Sequence, residues 1–222
     1  MNQQKSILAD LYIQSNSVQF GSFKISAHEV DPGLPLTPLY LHYPKPGEPG
    51  YELLPEMFEI VGKLFYDIIT NKNIQFDKIA GIPAGADLFA VTTAQHFPHS
   101  QNVLLRFKKE TDAVGKRSFS GPTDGVLQKG DRVLILDDHT SGGYNKSLFI
   151  DLLSSKGARV TDVLTIVDRQ QGATEFLRTL GVTLHSIFTI SELISFYKNE
   201  GLITAEQYIL TNQYIQDNQI II

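Results

Sequence analysis

The chain has 222 residues, enough for one sizeable α/β domain or a domain with a small appended subdomain. Hydrophobic residues make up 42% and charged residues 19%, as in a folded globular protein, and a net charge of −5 disfavours a general nucleic-acid-binding surface. The absence of cysteine excludes a disulfide framework and thiolate metal sites, and with no signal-peptide core and no membrane-length apolar run a cytoplasmic protein without a membrane partner is expected.

Ile7, Leu8, Leu11, Tyr12 and Ile13 recur at near-helical spacing and predict a first helix over residues 6–14. Residues 18–25 alternate Val18, Phe20, Phe23 and Ile25 imperfectly, as a strand interrupted at Gly21 would. Seven of the ten prolines then fall between Pro32 and Pro55, so this part reads as a loop-rich hood whose one strand-like piece is Thr37-Pro38-Leu39-Tyr40-Leu41-His42. The hood reads also as a surface excursion with no chemistry. From Tyr51 the pattern changes. Leu53, Leu54, Met57, Ile60, Val61, Leu64, Phe65, Ile68 and Ile69 keep a helical period and predict a long amphipathic helix with Pro55 in its first turn.

Residues 78–82 read as the first core strand, and the turn GIPAGAD, 81–87, leads into a helix through His96. Glycines between a strand and a helix suit either an anion site or a close packing of helix start on strand. A short strand over 103–107 precedes the one dense cationic segment, Arg106, Lys108, Lys109, Lys116 and Arg117. Such a flexible, basic loop could close over a polyphosphate; it reads also as an ordinary solvated loop.

Residues 133–147, VLILDDHTSGGYNKS, organise the rest. Four apolar residues stop at Asp137 and Asp138, a turn of Thr140, Ser141, Gly142 and Gly143 follows, and a helix begins at Tyr144 with Leu148, Phe149, Leu152 and Leu153 on one side. Glycines let backbone N–H groups approach an anion, the helix N-terminus adds partial positive charge, and the acids can accept from sugar hydroxyls or face a divalent cation. A strand over 160–167, a helix near 174–180, a strand over 182–188, a helix from Ser191 and a last helix opening at Thr204 complete the chain. Thr204 and Gln207 have capping-box spacing. The alternation implies an α/β fold with a mostly parallel central sheet and helices on both faces, its ligands beyond the carboxyl ends of the strands. Gly81, Lys108, Asp137 and Asp168 all follow strand ends.

Residues 133–147 resemble the phosphoribosyl-diphosphate (PRPP) loop of the type I phosphoribosyltransferases. In that family two residues separate the acid pair from the hydroxyl- and glycine-rich turn; here His139 alone does. With VTDVLTIVDRQQG (160–172), LGVTLHSIFTISEL (180–193), Gly81-Ile82-Pro83 and Lys109-Glu110-Thr111, the chain is similar to the orotate phosphoribosyltransferases, including the corresponding domain of UMP synthases.

This resemblance implies a single phosphoribosyltransferase-like domain over residues 1–222, with an N-terminal helix and hood in 1–50 and an α/β core in 51–222. It implies transfer of ribose 5-phosphate from PRPP to orotate with release of diphosphate, assisted by magnesium, in a homodimer that binds small molecules and no nucleic acid. Carried over by position, Asp137 and Asp138 would hold the ribose hydroxyls and stand as candidates to face the magnesium, which PRPP's diphosphate carries. Thr140, Ser141, Gly142 and Gly143 would hold the 5-phosphate, and Pro83, Ala84 and Gly85 the diphosphate. Lys108 and Lys109 would open the mobile catalytic loop, making Lys109 catalytic together with the acid pair. Tyr40, Leu41, Thr140 and Arg169 would receive orotate. The family's mobile-loop lysine falls at Thr111 or Asp112, its neighbours at Ala113 and Val114, its N-terminal lysine near Ser26, and its diphosphate-loop Tyr or Lys at Ala84 and Gly85. These departures leave two further readings: a protein of this fold that binds PRPP or a nucleotide in a regulatory role, and a transferase for another base.

Overall fold

The computed structural model describes residues 2–24, 33, 35–83, 85–98, 103–112 and 117–219. Helix α1 (Gln3–Gln14) precedes strands β1 (Val18–Phe23) and β2 (Thr37–Leu41), which pair antiparallel as a two-stranded sheet. After a 3-10 turn at Tyr51–Leu53 comes the long helix α2 (Leu54–Asn71), with Pro55 at its start as expected. The core then runs β3 (Lys78–Gly81), α3 (Asp87–Ala94), β4 (Leu104–Thr111), β5 (Arg117–Asp124), β6 (Val133–Thr140) and α4 (Tyr144–Ser155). It continues with β7 (Asp162–Asp168), α5 (Ala173–Thr179), β8 (Thr183–Thr189), α6 (Ile190–Asn199) and α7 (Ala205–Asp217). No helix of the described residues is long and apolar enough to cross a membrane.

The main sheet has six strands in the order β5-β4-β3-β6-β7-β8, parallel throughout except for β5. Its strands read as continuous apolar runs because both faces are covered. Successive side chains of β6 feed different cores. Val133 and Ile135 join Leu105, Phe107 and Val163 beneath Phe149, Ile150 and Leu153 of α4, whereas Leu134 and Leu136 join Ile79, Leu164 and Ile166 beneath α2 and α6. The hood is packed into that second core: Leu39 and Leu41 of β2 are buried with Leu8, Leu11 and Tyr12 of α1. Ile25 and Ser26 lie outside the described residues, and β1 is described to Phe23.

The basic segment differs from the expected loop. β4 extends through Lys108 and Lys109 to Thr111 and pairs antiparallel with β5, Lys109 opposite Phe119 and Thr111 opposite Arg117. Apolar anchors hold this ribbon down: the rings of Phe107 and Phe119 meet Phe149 edge-on, centroids 5.0 and 5.2 Å apart. Their alternation is hidden among charges and by Gly121-Pro122.

The expected capping box forms: Gln207 N–H donates to Thr204 Oγ1 (3.1 Å), and Thr204 N–H donates to Gln207 Oε1 (2.8 Å). Thr204→Ala is expected to cost about 1 kcal/mol, read as a lower urea midpoint at unchanged slope. A second box, Thr189 with Glu192, starts α6.

β3 occupies the middle of the sheet; the chain leaves it toward β4 and returns to its other side as β6. α3, after β3, packs on one face, and α4, after β6, on the other. A crevice at the carboxyl ends of β3 and β6 follows, which is where open α/β sheets bind ligands.

Candidate active site

Asp137 and Asp138 end the apolar run of β6 as adjacent strand residues, so they diverge to opposite faces. Asp137 points toward α4 and is only 7% exposed. Its Oδ1 accepts from Asp138 N–H (3.0 Å) and its Oδ2 from Lys146 Nζ (2.5 Å). Burial pushes its carboxyl up to about 6, a rise that the Lys146 ammonium restrains. Both oxygens of Asp137 thus accept hydrogen bonds within the chain, one from the backbone and one from Lys146.

Asp138 faces the hood. With Tyr12, Leu41, His42, Tyr43, His139 and Val167 it lines a small cleft. Burial raises its pKa, but the His139 imidazole (Nδ1 to Oδ2, 3.3 Å), the His139 N–H (2.6 Å to Oδ1) and Lys146 outweigh burial and hold it below the usual carboxylate range. The hydroxyls of Tyr12 and Tyr43 hydrogen-bond to each other, and burial, reinforced by the charge of Asp138, keeps both phenols protonated.

The glycine turn after β3 meets this carboxylate. A Cβ on Gly85 would lie 3.3 Å from Asp138 Oδ2, so Gly85 borders that acid; Pro83 is buried in the same turn, and Ala84 lies outside the described residues. Gly81 is obligatory, since a Cβ there would sit 2.4 Å from the Ala86 carbonyl oxygen. Across the crevice, Thr140, Ser141, Gly142 and Gly143 lead into α4. The Thr140 carbonyl accepts from Arg169 N–H (2.9 Å) and the Ser141 carbonyl from Ala173 N–H (3.0 Å), which ties the turn to the end of β7 and the start of α5. Gly143 is the N-cap at φ +88°, without a capping side chain, and no acid stands in the first turn of α4. Lys146 N–H donates to the Gly143 carbonyl (2.9 Å), so the backbone amides that suit an anion are those ahead of Lys146. The Thr140 hydroxyl, on a residue 3% exposed, has no hydrogen-bond partner among the described residues.

Arg169 is 6% exposed. Its Nε donates to Gln171 Oε1 (3.1 Å) and one terminal nitrogen to Thr37 Oγ1 (3.2 Å) at the start of β2. It forms no ion pair with Asp168, whose oxygens accept from Gln170 N–H (2.8 Å) and the Thr174 hydroxyl (3.2 Å). Burial lowers the Arg169 pKa, and among the described residues no carboxylate reaches it.

Two expectations separate here. Leu41 lines the cleft, but Tyr40, on the other face of β2, stacks on Phe23 (5.5 Å) and His42 (5.2 Å) instead. Lys108 and Lys109 alternate across the ribbon: Lys108 pairs with Glu110 (3.9 Å), while Lys109 is within electrostatic reach of Asp137 and Asp138. Burial and Arg117 lower the pKa of Lys109 against the pull of those acids.

Sequence reasoning missed Lys146 and the Tyr12–Tyr43 pair. Lys146 carries a signal: it lies on one stripe with Phe149, Ile150 and Leu153, the buried face of α4, which differs from the stripe expected over 148–153. Tyr12 has none beyond its place on an apolar face.

The phosphoribosyl transferase domain family matches residues 51–179. Orotate phosphoribosyltransferase of Saccharolobus solfataricus is 31% identical over 191 residues, 84% of this chain and 85% of that protein. Uridine 5'-monophosphate synthase of Bos taurus is 29% identical over 167 residues, 75% of this chain, which spans only 34% of that longer protein. Among solved structures, Leishmania donovani UMP synthase superposes with a TM-score of 0.77 at 25% identity, covering 97% of this chain and 43% of that one. The match over the core, the overlap with a relative of similar length and the site at the β3–β6 crevice agree: the chain belongs to the phosphoribosyltransferase family, in its orotate phosphoribosyltransferase branch.

Proposed function

We propose that this protein transfers ribose 5-phosphate from PRPP to N1 of orotate, forming the N-glycosidic bond as the C1–oxygen bond to diphosphate breaks and the N1 proton passes to the released diphosphate or solvent. The observation that carries this reading is Arg169, a buried guanidinium held by Thr37 and Gln171 with no carboxylate of its own among the described residues. Its planar fork suits a bidentate carboxylate, and orotate differs from uracil by such a group. The backbone of residues 140–143 and the Thr140 hydroxyl would take the 5-phosphate, the turn at Pro83 and Gly85 the diphosphate, and Asp138 the ribose hydroxyls. Lys109 would offset charge on the departing diphosphate from the ribbon.

No group of three or more acids and histidines among the described residues could cage a metal. A magnesium ion delivered on diphosphate needs no cage, and Asp138 is the carboxylate whose position fits it. Bound there, the ion would neutralise the leaving group. We also propose one domain over residues 1–222, the hood in 1–50 closing the base side, in a cytoplasmic homodimer.

Incubation with PRPP, Mg²⁺ and orotate should deplete orotate absorbance. PRPP binding by calorimetry without turnover would instead select the regulatory reading, and turnover of uracil or hypoxanthine but not orotate would select another base.

A further inference from the structure

Lys146 has no role in the reading above, yet it is among the most buried charges of the described residues, at 2% exposed. Its ammonium joins two successive parts of the site: it donates to Asp137 Oδ2 (2.5 Å) and to the carbonyl oxygen of His139 (3.2 Å). Its backbone belongs to the first turn of α4, directly after the cradle, and Lys146 N–H donates to the Gly143 carbonyl (2.9 Å). One side chain therefore links the acid pair, the one-residue connection and the helix that presents the amides.

Electrostatics make the link necessary. A phosphate ester at residues 140–143 would stand beside two carboxylates, and a buried, uncompensated acid repels an anion far more than a solvated one. Asp138 accepts from the His139 N–H and lies beside its ring, whereas Asp137 is bound by the Lys146 ammonium. We infer that Lys146 is a positioning residue for the phosphate subsite: it cancels the Asp137 carboxylate and braces the shortened turn, so that the cradle accepts a phosphate ester beside the acid pair. This role rests on the PRPP reading of that cradle.

The test uses ribose 5-phosphate, which occupies the cradle without diphosphate or magnesium, in calorimetry on the full chain. Lys146→Met should weaken binding at least about tenfold, and Asp137→Asn with Lys146→Met, which removes both charges, should bind at least about threefold more tightly than Lys146→Met alone. In turnover, Lys146→Met should raise the KM for PRPP with kcat within about threefold, whereas a partly unfolded enzyme loses kcat at unchanged KM. Lys146→Met binding like wild type, or a double variant that melts cooperatively yet binds no better than the single one, overturns the role of Lys146 alone. Wild-type protein that binds no ribose 5-phosphate overturns the cradle reading and this role with it.

Discussion

Arg169→Met is expected to lower kcat/KM for orotate by about 2–4 kcal/mol, roughly 30- to 1,000-fold, because a buried guanidinium and its carboxylate partner are separated. PRPP binding should stay within about threefold, since the cradle and acid pair are untouched. The same substitution should leave the melting temperature unchanged or higher: Arg169 is a desolvated cation whose side-chain hydrogen bonds among the described residues go to Gln171 and Thr37, and apolar filling removes that cost. Steady-state kinetics beside calorimetric melting check both halves. Equal activity on orotate would remove Arg169 from the base site, and a large loss of stability would make it structural.

Gly81→Ala is expected to have the largest effect on stability. The added methyl would lie 2.4 Å from the Ala86 carbonyl oxygen, 2.6 Å from the Ala86 carbonyl carbon and 2.8 Å from Asp87 N, all backbone atoms that cannot rotate away. The turn must move, at a cost of about 1–3 kcal/mol or more. Gly62→Ala supplies the comparison, since its methyl would strike Thr92 where α2 crosses α3, at 2.7 Å and away from the crevice. Urea denaturation should show both variants destabilised. PRPP affinity should fall only for Gly81→Ala, because that turn carries Gly85 against Asp138.

What could be read before the structure follows from which physical signals are local. Apolar runs such as Val133-Leu134-Ile135-Leu136 declare strands covered on both faces, and Thr204 with Gln207 declares a helix start. The end of β6 at the acid pair and the helix start after the glycine turn were legible for the same reason: strand ends and helix starts are written in consecutive residues. The direction of each acid was not discussed by the motif, although strand alternation already sends Asp137 and Asp138 apart. β5 was missed because Phe119 is a single apolar anchor in a charged stretch with Gly121 and Pro122, and its pairing with β4 is tertiary. Lys146 and the Tyr12–Tyr43 hydroxyl pair were invisible for another reason. Their partners lie on other elements, and a lysine in an amphipathic helix reads as solvated unless its neighbours are known.

The central position of β3 bears on how the protein is made. Ile79 pairs with Leu104 on one side and with Leu134 on the other, so the strand emerges from the ribosome well before either neighbour. Until Val133–Thr140 has been synthesised, one edge of β3 carries unpaired backbone groups, and the crevice lacks both carboxylates and the turn over residues 140–143. A nascent chain stopped short of that strand is thus a sticky intermediate that substrate cannot rescue. Ligand added during refolding should protect the chain only after the β3–β6 pairing has closed.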